Sequence, residues 1–278
     1  MKKGFKVLMT GVLAVSVLAL AACGNPNEQA SDSDKKTLRV AVSAGPYNEL
    51  FDAAVKPILE KQGYTIKGVN FSNMLQAEVA ITENAIDFNV SQHTAYVNAF
   101  NKEKNAQLVP IVHIPTVPAG IFSNRFTSIQ DVKPGAKIAI PQDPSNAARA
   151  FALLQKAGWI KLKEGIDPTL ATKNDVIENK QNLDITMMDS SQIPRAMDDI
   201  DFAVLPGSIV YAASIDASKS LLAEDVVADL ELNVVVNKGN ETSQWAKDIV
   251  AAYKSDEFKQ YMNEHNKDNY WFIPDELK

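Results

Sequence analysis

The stretch KIAIPQDPSNAARAF, residues 137–151, decides how the chain is to be read. It begins as a β-like run of alternating small and branched residues, turns at Asp143-Pro144, and opens a helix. Asp before Pro supplies an N-cap followed by Pro at the first helical position, where the missing N–H costs nothing. Ala147, Ala150, Phe151 and Leu154 recur at i, i+3, i+4, i+7 and are expected to face a core. Ser145, Asn146 and Arg149 occupy the same first turns on another side. A helix start furnished with a hydroxyl, an amide and a guanidinium is suited to an anion, because its unpaired N–H groups and dipole favour negative charge. An arginine fork there matches a carboxylate through two parallel hydrogen bonds. Ordinary capping plus a solvated arginine is the competing reading.

Working outward, strand-like and helix-like segments alternate on both sides of this stretch. TLRVAVSAGP, YTIKGVNF and AIDFNVSQ read as strands, and the segments after them carry helical spacing, with Pro57 expected to bend the first helix. This alternation implies α/β architecture with a mostly parallel sheet. The character changes near Val117–Ser123, and LELNVVVNK is a late strand. The expected organisation is two α/β lobes: 37–119 the first part of lobe 1, 120–230 lobe 2, and 231–278 a return to lobe 1 ending in an amphipathic helix. The chain would cross twice between lobes, and a cleft between lobes is a common ligand site. In FNVSQHTAY (88–96), Phe88, Gln92, His93 and Tyr96 fall at a strand C-terminus, where α/β sheets gather ligands. Asn233, polar among alternating apolar residues, could face the same cleft.

The N-terminal segment has a different character. Lys2, Lys3 and Lys6 precede a short apolar run that ends in LAAC, residues 20–23. Residues 1–22 read as an export signal, since a membrane span needs about 20 apolar residues. Cys23 is the only cysteine, so it has no intramolecular disulfide partner. The LAAC motif resembles the lipobox of bacterial lipoproteins, in which the cysteine becomes a lipidated N-terminus. Residues 23–36 then form a polar tether, and the expected location is the extracytoplasmic face of a bacterial membrane.

Composition excludes several classes. The formal net charge of −6 becomes −9 once the three signal lysines are lost, and no basic patch is visible, so nucleic acid is not an expected partner. Three scattered histidines, His93, His113 and His265, supply a transition-metal site poorly, and no metal or cofactor is expected. Nucleophile elbows, P-loops and zinc-protease motifs are absent, so a binding protein is favoured over an enzyme.

The lipobox Cys23, VKPILEKQGY (55–64), FNVSQHTAY (88–96), the block 138–165, VIENKQNLDI (176–185) and SQIPRAMDDID (191–201) together resemble the NlpA-type, methionine-binding lipoproteins of ABC importers. The resemblance covers essentially the whole mature chain and implies a two-lobed periplasmic-binding-protein fold of type II. It implies delivery of L-methionine or a related compound to a permease–ATPase complex by a monomeric, lipid-anchored carrier. Under it, Arg149 holds a ligand carboxylate with Asn146 and Ser145 beside it, Phe88, Gln92, His93 and Tyr96 line the side-chain pocket, and Asn233 and Ser208 meet the polar end. A short peptide, another small carboxylate, or an adhesin or chaperone role on the same fold are the alternatives. The chain departs from the family pattern where a tyrosine and asparagines are usual: Met74, Gln76, Ser208 and Val210 stand there. Replacing a ligand-bonding amide costs about 1–3 kcal/mol, so a ligand other than free methionine is expected.

Overall fold

The computed structural model describes residues 35–278 except 44, 72 and 267–269. The export signal, Cys23 and nearly all of the tether lie outside the described residues. The first lobe opens with β1 (Thr37–Val42), α1 (Pro46–Leu50), α2 (Lys56–Lys61), β2 (Thr65–Asn70), α3 (Met74–Thr82), β3 (Phe88–His93), α4 (Thr94–Lys104) and β4 (Leu108–Ile114). The second contains β5 (Gly120–Phe122), β6 (Lys137–Pro141), α5 (Pro144–Lys156), β7 (Lys161–Leu162), β8 (Val176–Glu178), β9 (Asp184–Met188), α6 (Ile193–Ala196), β10 (Phe202–Leu205), α7 (Gly207–Ala212) and β11 (Leu222–Ala223). The chain then returns through β12 (Leu232–Asn237), α8 (Gln244–Tyr253) and α9 (Asp256–His265).

Two five-stranded sheets organise these elements, in the orders β2-β1-β3-β12-β4 and β11-β5-β10-β6-β9. The expectation of a mostly parallel sheet needs correction, because both sheets are mixed. β12 runs antiparallel to β3 and β4, and β5 runs antiparallel to β10 and β11. The reason is topological: each inserted strand arrives from the other lobe and is not tied to its neighbour by a helical crossover, so nothing forces the parallel sense.

The helical run after β1 changes its winding ahead of Pro57. Between α1 and α2 lies a π-helical turn, Phe51–Val55, immediately before Pro57. Pro57 has no N–H and its ring crowds the carbonyl four residues earlier, and the wider turn accommodates both. Phe51 and Phe88 meet edge to face at 5.4 Å in the core beneath, with Trp245 of α8 at 6.4 Å from Phe88. A second core, built on Ile138, Ile140, Phe151, Leu154, Trp159 and Phe202, fills lobe 2.

The crossings between sheets are short, 115–119 outward in extended conformation and 224–231 on the return, which includes a 3-10 turn at Ala228–Leu230. The first is held by the bridge of Thr116 to Phe272 and by the Val117 N–H, which donates to the Tyr47 hydroxyl at 3.3 Å. Gly207 lets α7 press against it. A Cβ there would lie 2.5 Å from a Val117 side-chain carbon and 2.6 Å from its carbonyl oxygen. Because backbone is the obstacle, rotamer change cannot relieve the clash. Gly207→Ala is therefore expected to destabilise the protein by about 1–3 kcal/mol, the usual range for overpacking, read as a lower urea midpoint.

Candidate functional site

The opening stretch folds as its local chemistry requires. Asp143 caps α5, its Oδ1 accepting the Asn146 N–H at 3.0 Å, and Pro144 occupies the first turn. The Asn146 side-chain amide donates to the same oxygen at 3.0 Å, and the Ser145 hydroxyl to it at 3.3 Å. That leaves Asn146 Oδ1 directed elsewhere. It lies 3.4 Å from His93 Nε2, on the other lobe, and 3.5 Å from Arg149 Nη1. His93 Nδ1 accepts the Tyr96 N–H at 3.2 Å, which fixes the proton of the neutral ring on Nε2, facing Asn146. So the structure brings Asn146, Arg149, His93 and Tyr96 together at the seam between lobes, where α4 packs on α5. Both the apolar and the polar residues of the first α5 turns are buried; Arg149 is 5 % exposed.

The guanidinium has a partner that sequence reasoning missed. Glu224, at the start of the return crossing, accepts from Arg149 Nε and Nη2 in a two-point ion pair, and its side chain is 6 % exposed. Glu224 Oε1 also accepts the Ala119 N–H at 2.7 Å, and the Glu224 N–H donates to the Ala119 carbonyl at 3.0 Å. The ion pair therefore ties α5 to both crossing segments. Burial alone would lower the Arg149 pKa, but the charge and hydrogen bonds of Glu224 raise it. Burial, then the nearby Arg149 charge, pushes His93 down to about 3 despite its contact with Asn146, so the ring stays neutral.

Asn233 is 1 % exposed. Its Nδ2 donates to Thr94 Oγ1 at 3.0 Å and to the Glu231 carbonyl at 2.9 Å, while its Oδ1 has no partner. Gln92 pairs in register with Asn233 across β3 and β12, is equally buried, and has an unpartnered Oε1. Glu78 of α3 lies next to this ladder, accepting the Asn89 side-chain amide at 2.8 Å. Burial pushes the Glu78 carboxyl up to about 8 against the hydrogen bonds from Asn89 and Gln92.

Two sequence expectations change. Phe88 does not line the seam: it is fully buried in the lobe 1 core between Phe51 and Trp245, because the alternation of β3 turns Phe88 and Val90 away from the face carrying Asn89. Val210 packs in a lobe 2 core with Phe122 and Leu205, and Ser208 is the α7 residue at the lobe junction. There Gly45, at φ +134, comes so close that a Cβ on it would sit 3.2 Å from Ser208 Cβ. A groove of about 860 Å³ runs beside the first crossing segment, lined by Val117, Ala119, Gly207, Tyr211 and Tyr270 among others. None of Arg149, Asn146, His93 or Asn233 borders it; the convergent donors and acceptors are at the seam. His113 lies elsewhere, bonded to Glu276 at 2.8 Å, and no group of three or more His, Cys, Asp or Glu side chains is placed to hold a metal among the described residues.

This arrangement is set in a chain with clear relatives. Residues 38–273 match the NlpA lipoprotein family. The chain belongs to that family. The D-methionine-binding lipoprotein MetQ of Salmonella typhi is 30% identical over 262 residues, covering 93% of this chain and 94% of the relative. A nutrient-binding protein from Burkholderia cenocepacia, solved bound to methionine, is 31% identical with TM-score 0.79 over 85% of this chain and 99% of that one. A lipoprotein structure from Ruminococcus gnavus is 34% identical with TM-score 0.80, over 87% and 100%. These neighbours share the two-lobed α/β fold of substrate-binding proteins.

Two expectations follow from the geometry. Removing one member of a buried ion pair strands the other, at about 3–5 kcal/mol, so Arg149→Ala will be markedly less stable, not simply unable to bind. Arg149→Met with Glu224→Leu together should be far less destabilising than the sum of the singles, which a denaturation cycle measures. The second concerns pH. Glu78 has an ordinary value of 4.5 when unfolded and about 8 when folded, so the folded state holds the extra proton between those limits. Its contribution is complete below pH 4.5 and lost as pH rises through 8. Relative to Glu78→Gln, the native protein should lose up to about 1.4 kcal/mol per pH unit across that window, as read from urea melts.

Proposed function

We propose that this chain is the substrate-binding lipoprotein of an ABC importer, which captures an amino acid or a close derivative at the Arg149 seam and presents it to a permease–ATPase complex. The observation that carries the reading is a buried guanidinium at a lobe junction, with neighbours from both lobes aimed at the same point. Closure around cargo is then the natural step: a ligand that touches α5 and the β3–α4 corner at once stabilises the closed form over the open one. Lipidation of Cys23 would hold the monomeric carrier at the membrane and keep its effective concentration near the permease high. No reaction chemistry is required of the site, and none of its groups is arranged as nucleophile and base.

Within this reading each residue has a role set by its free valences. Arg149 offers Nη1 to a carboxylate. Asn233 has spent its amide hydrogens, so its Oδ1 can only accept, which suits a ligand ammonium. Neutral His93 and half-buried Tyr96 supply an aromatic corner, their rings edge to face at 6.3 Å. Met74, Gln76 and Ser208 replace residues usual in the family, so the cargo is expected to differ from free L-methionine in its side chain or its state of linkage.

Calorimetry against the common amino acids, methionine derivatives and dipeptides is the test. One compound or a narrow group should bind one to one, and Asn146→Ala, which removes the interlobe oxygen, should weaken it about tenfold. Absence of binding by every member of the panel, with protein shown to be folded, would overturn the reading.

A further inference from the structure

We infer that Glu224 makes the site select zwitterions: the ligand must carry its own positive charge, as a free amino acid does, and a simple carboxylate of the same shape is rejected. The inference rests on the reading of the seam as an amino-acid site and deepens it.

The argument starts from the arginine fork. A guanidinium has five N–H donors. Glu224 takes Nε–H and one Nη2–H, and its position is fixed by the two backbone hydrogen bonds with Ala119. The guanidinium therefore keeps a second two-point edge, made of Nη1 and the remaining Nη2–H. Nη1 is on the side of Asn146, whose Oδ1 is 3.5 Å away, and the Tyr47 hydroxyl is close enough for the Arg149 charge to act on it. Both are seam residues, so Glu224 orients the open edge toward the junction. A ligand carboxylate that met this edge would leave the Glu224 pair intact.

Charge decides what else the ligand must bring. Arg149 and Glu224 already sum to zero in a place where each is about nineteen-twentieths buried. His93 contributes nothing, being neutral. A monoanion added to this pair leaves one uncompensated negative charge out of water, which is costly. An α-amino acid adds no net charge, and its ammonium finds a buried, unpartnered acceptor in Asn233 Oδ1. Without Glu224 the balance shifts: Arg149, left with only the partly exposed Asp143 cap as a negative neighbour, would accept a simple anion far more readily. Glu224 is thus a specificity-determining and positioning residue that touches the arginine, not the cargo.

The test compares matched pairs by calorimetry on the native protein, Glu224→Gln and Glu224→Asp: L-methionine with 4-(methylsulfanyl)butanoate, L-leucine with 4-methylpentanoate, and L-phenylalanine with 3-phenylpropanoate. The native protein should prefer the amino acid of the pair it binds by at least a hundredfold. Glu224→Gln should shrink that ratio at least tenfold, and Glu224→Asp, which keeps the charge, should preserve it even if both affinities fall. The ratio is independent of how much of a variant is folded, so a general loss of stability cannot mimic the result. An unchanged ratio in Glu224→Gln, or an equal change in both variants, overturns the inference while leaving amino-acid binding intact. Where the cargo is another member of the calorimetric panel, the same comparison uses that compound and its des-amino analogue; failure of the native protein to bind any member of the panel overturns the underlying reading and this inference with it.

Discussion

A buried guanidinium must be neutralised before the fold can tolerate it, and the Arg149–Glu224 pair is the constraint on which the seam depends. Each side chain is nearly inaccessible, so neither can be held there alone. The partner is not a neighbour on the same helix but a residue at the first position of the return crossing, clamped to Ala119 at the last position of the outward one. One ion pair therefore ties α5 to both crossing segments at once and sets which of the arginine's hydrogens remain for other partners. A change in what Arg149 touches is therefore felt at the segments that join the two sheets.

Around that pair the polar atoms of the α5 cap are occupied, whereas several buried oxygens of lobe 1 are not. Asp143, Ser145 and Asn146 satisfy one another at the α5 cap. Across the seam, Asn233 and Gln92, paired across β3 and β12, each keep an unpartnered oxygen, as does Glu78 of the adjacent α3. Buried polar atoms without partners are expensive, and native proteins keep few of them unless water or a ligand completes them. The register of β3 with β12 makes the cluster possible: it sets Gln92 opposite Asn233, with a register shift where β3 holds one residue more than β12 between Asn233 and Val235.

What the sequence revealed and concealed follows from the range of the interactions. The α5 start was legible because capping is local: Asp143, Pro144 and the apolar spacing all act within one or two turns. The grouping of Arg149 with Asn146 and of His93 with Tyr96 was legible for the same reason. Glu224 was not, since it lies 75 residues from its partner, in LLAEDVV, where an acid beside another acid reads as a solvated turn. The position of Phe88 is not legible in its motif, because its place near a strand end suggests a pocket while the alternation of β3 sends it into the core with Phe51 and Trp245. The mixed sheets were hidden too. Strand sense depends on where the chain comes from, and β12 comes from the other lobe, a fact no local pattern encodes.

The seam's own contacts also bear on how cargo could control closure. The polar contacts that join the lobes near Arg149 are few and long: His93 to Asn146 at 3.4 Å and Val117 to Tyr47 at 3.3 Å, with Tyr211 and Glu49 paired at the exposed rim. His93 and Asn146 are uncharged, and neutral hydrogen bonds of this kind contribute about 1 kcal/mol each at most. Such a seam favours the closed form only weakly by itself. A species that joined the open Arg149 edge in lobe 2 to Asn233 in lobe 1 would add charge-assisted bonds, roughly twice as strong as neutral ones, that exist only when the lobes meet. Closure would then report the presence of cargo rather than merely accompany it, because the differential interaction comes from the cargo and not from the protein's own surfaces.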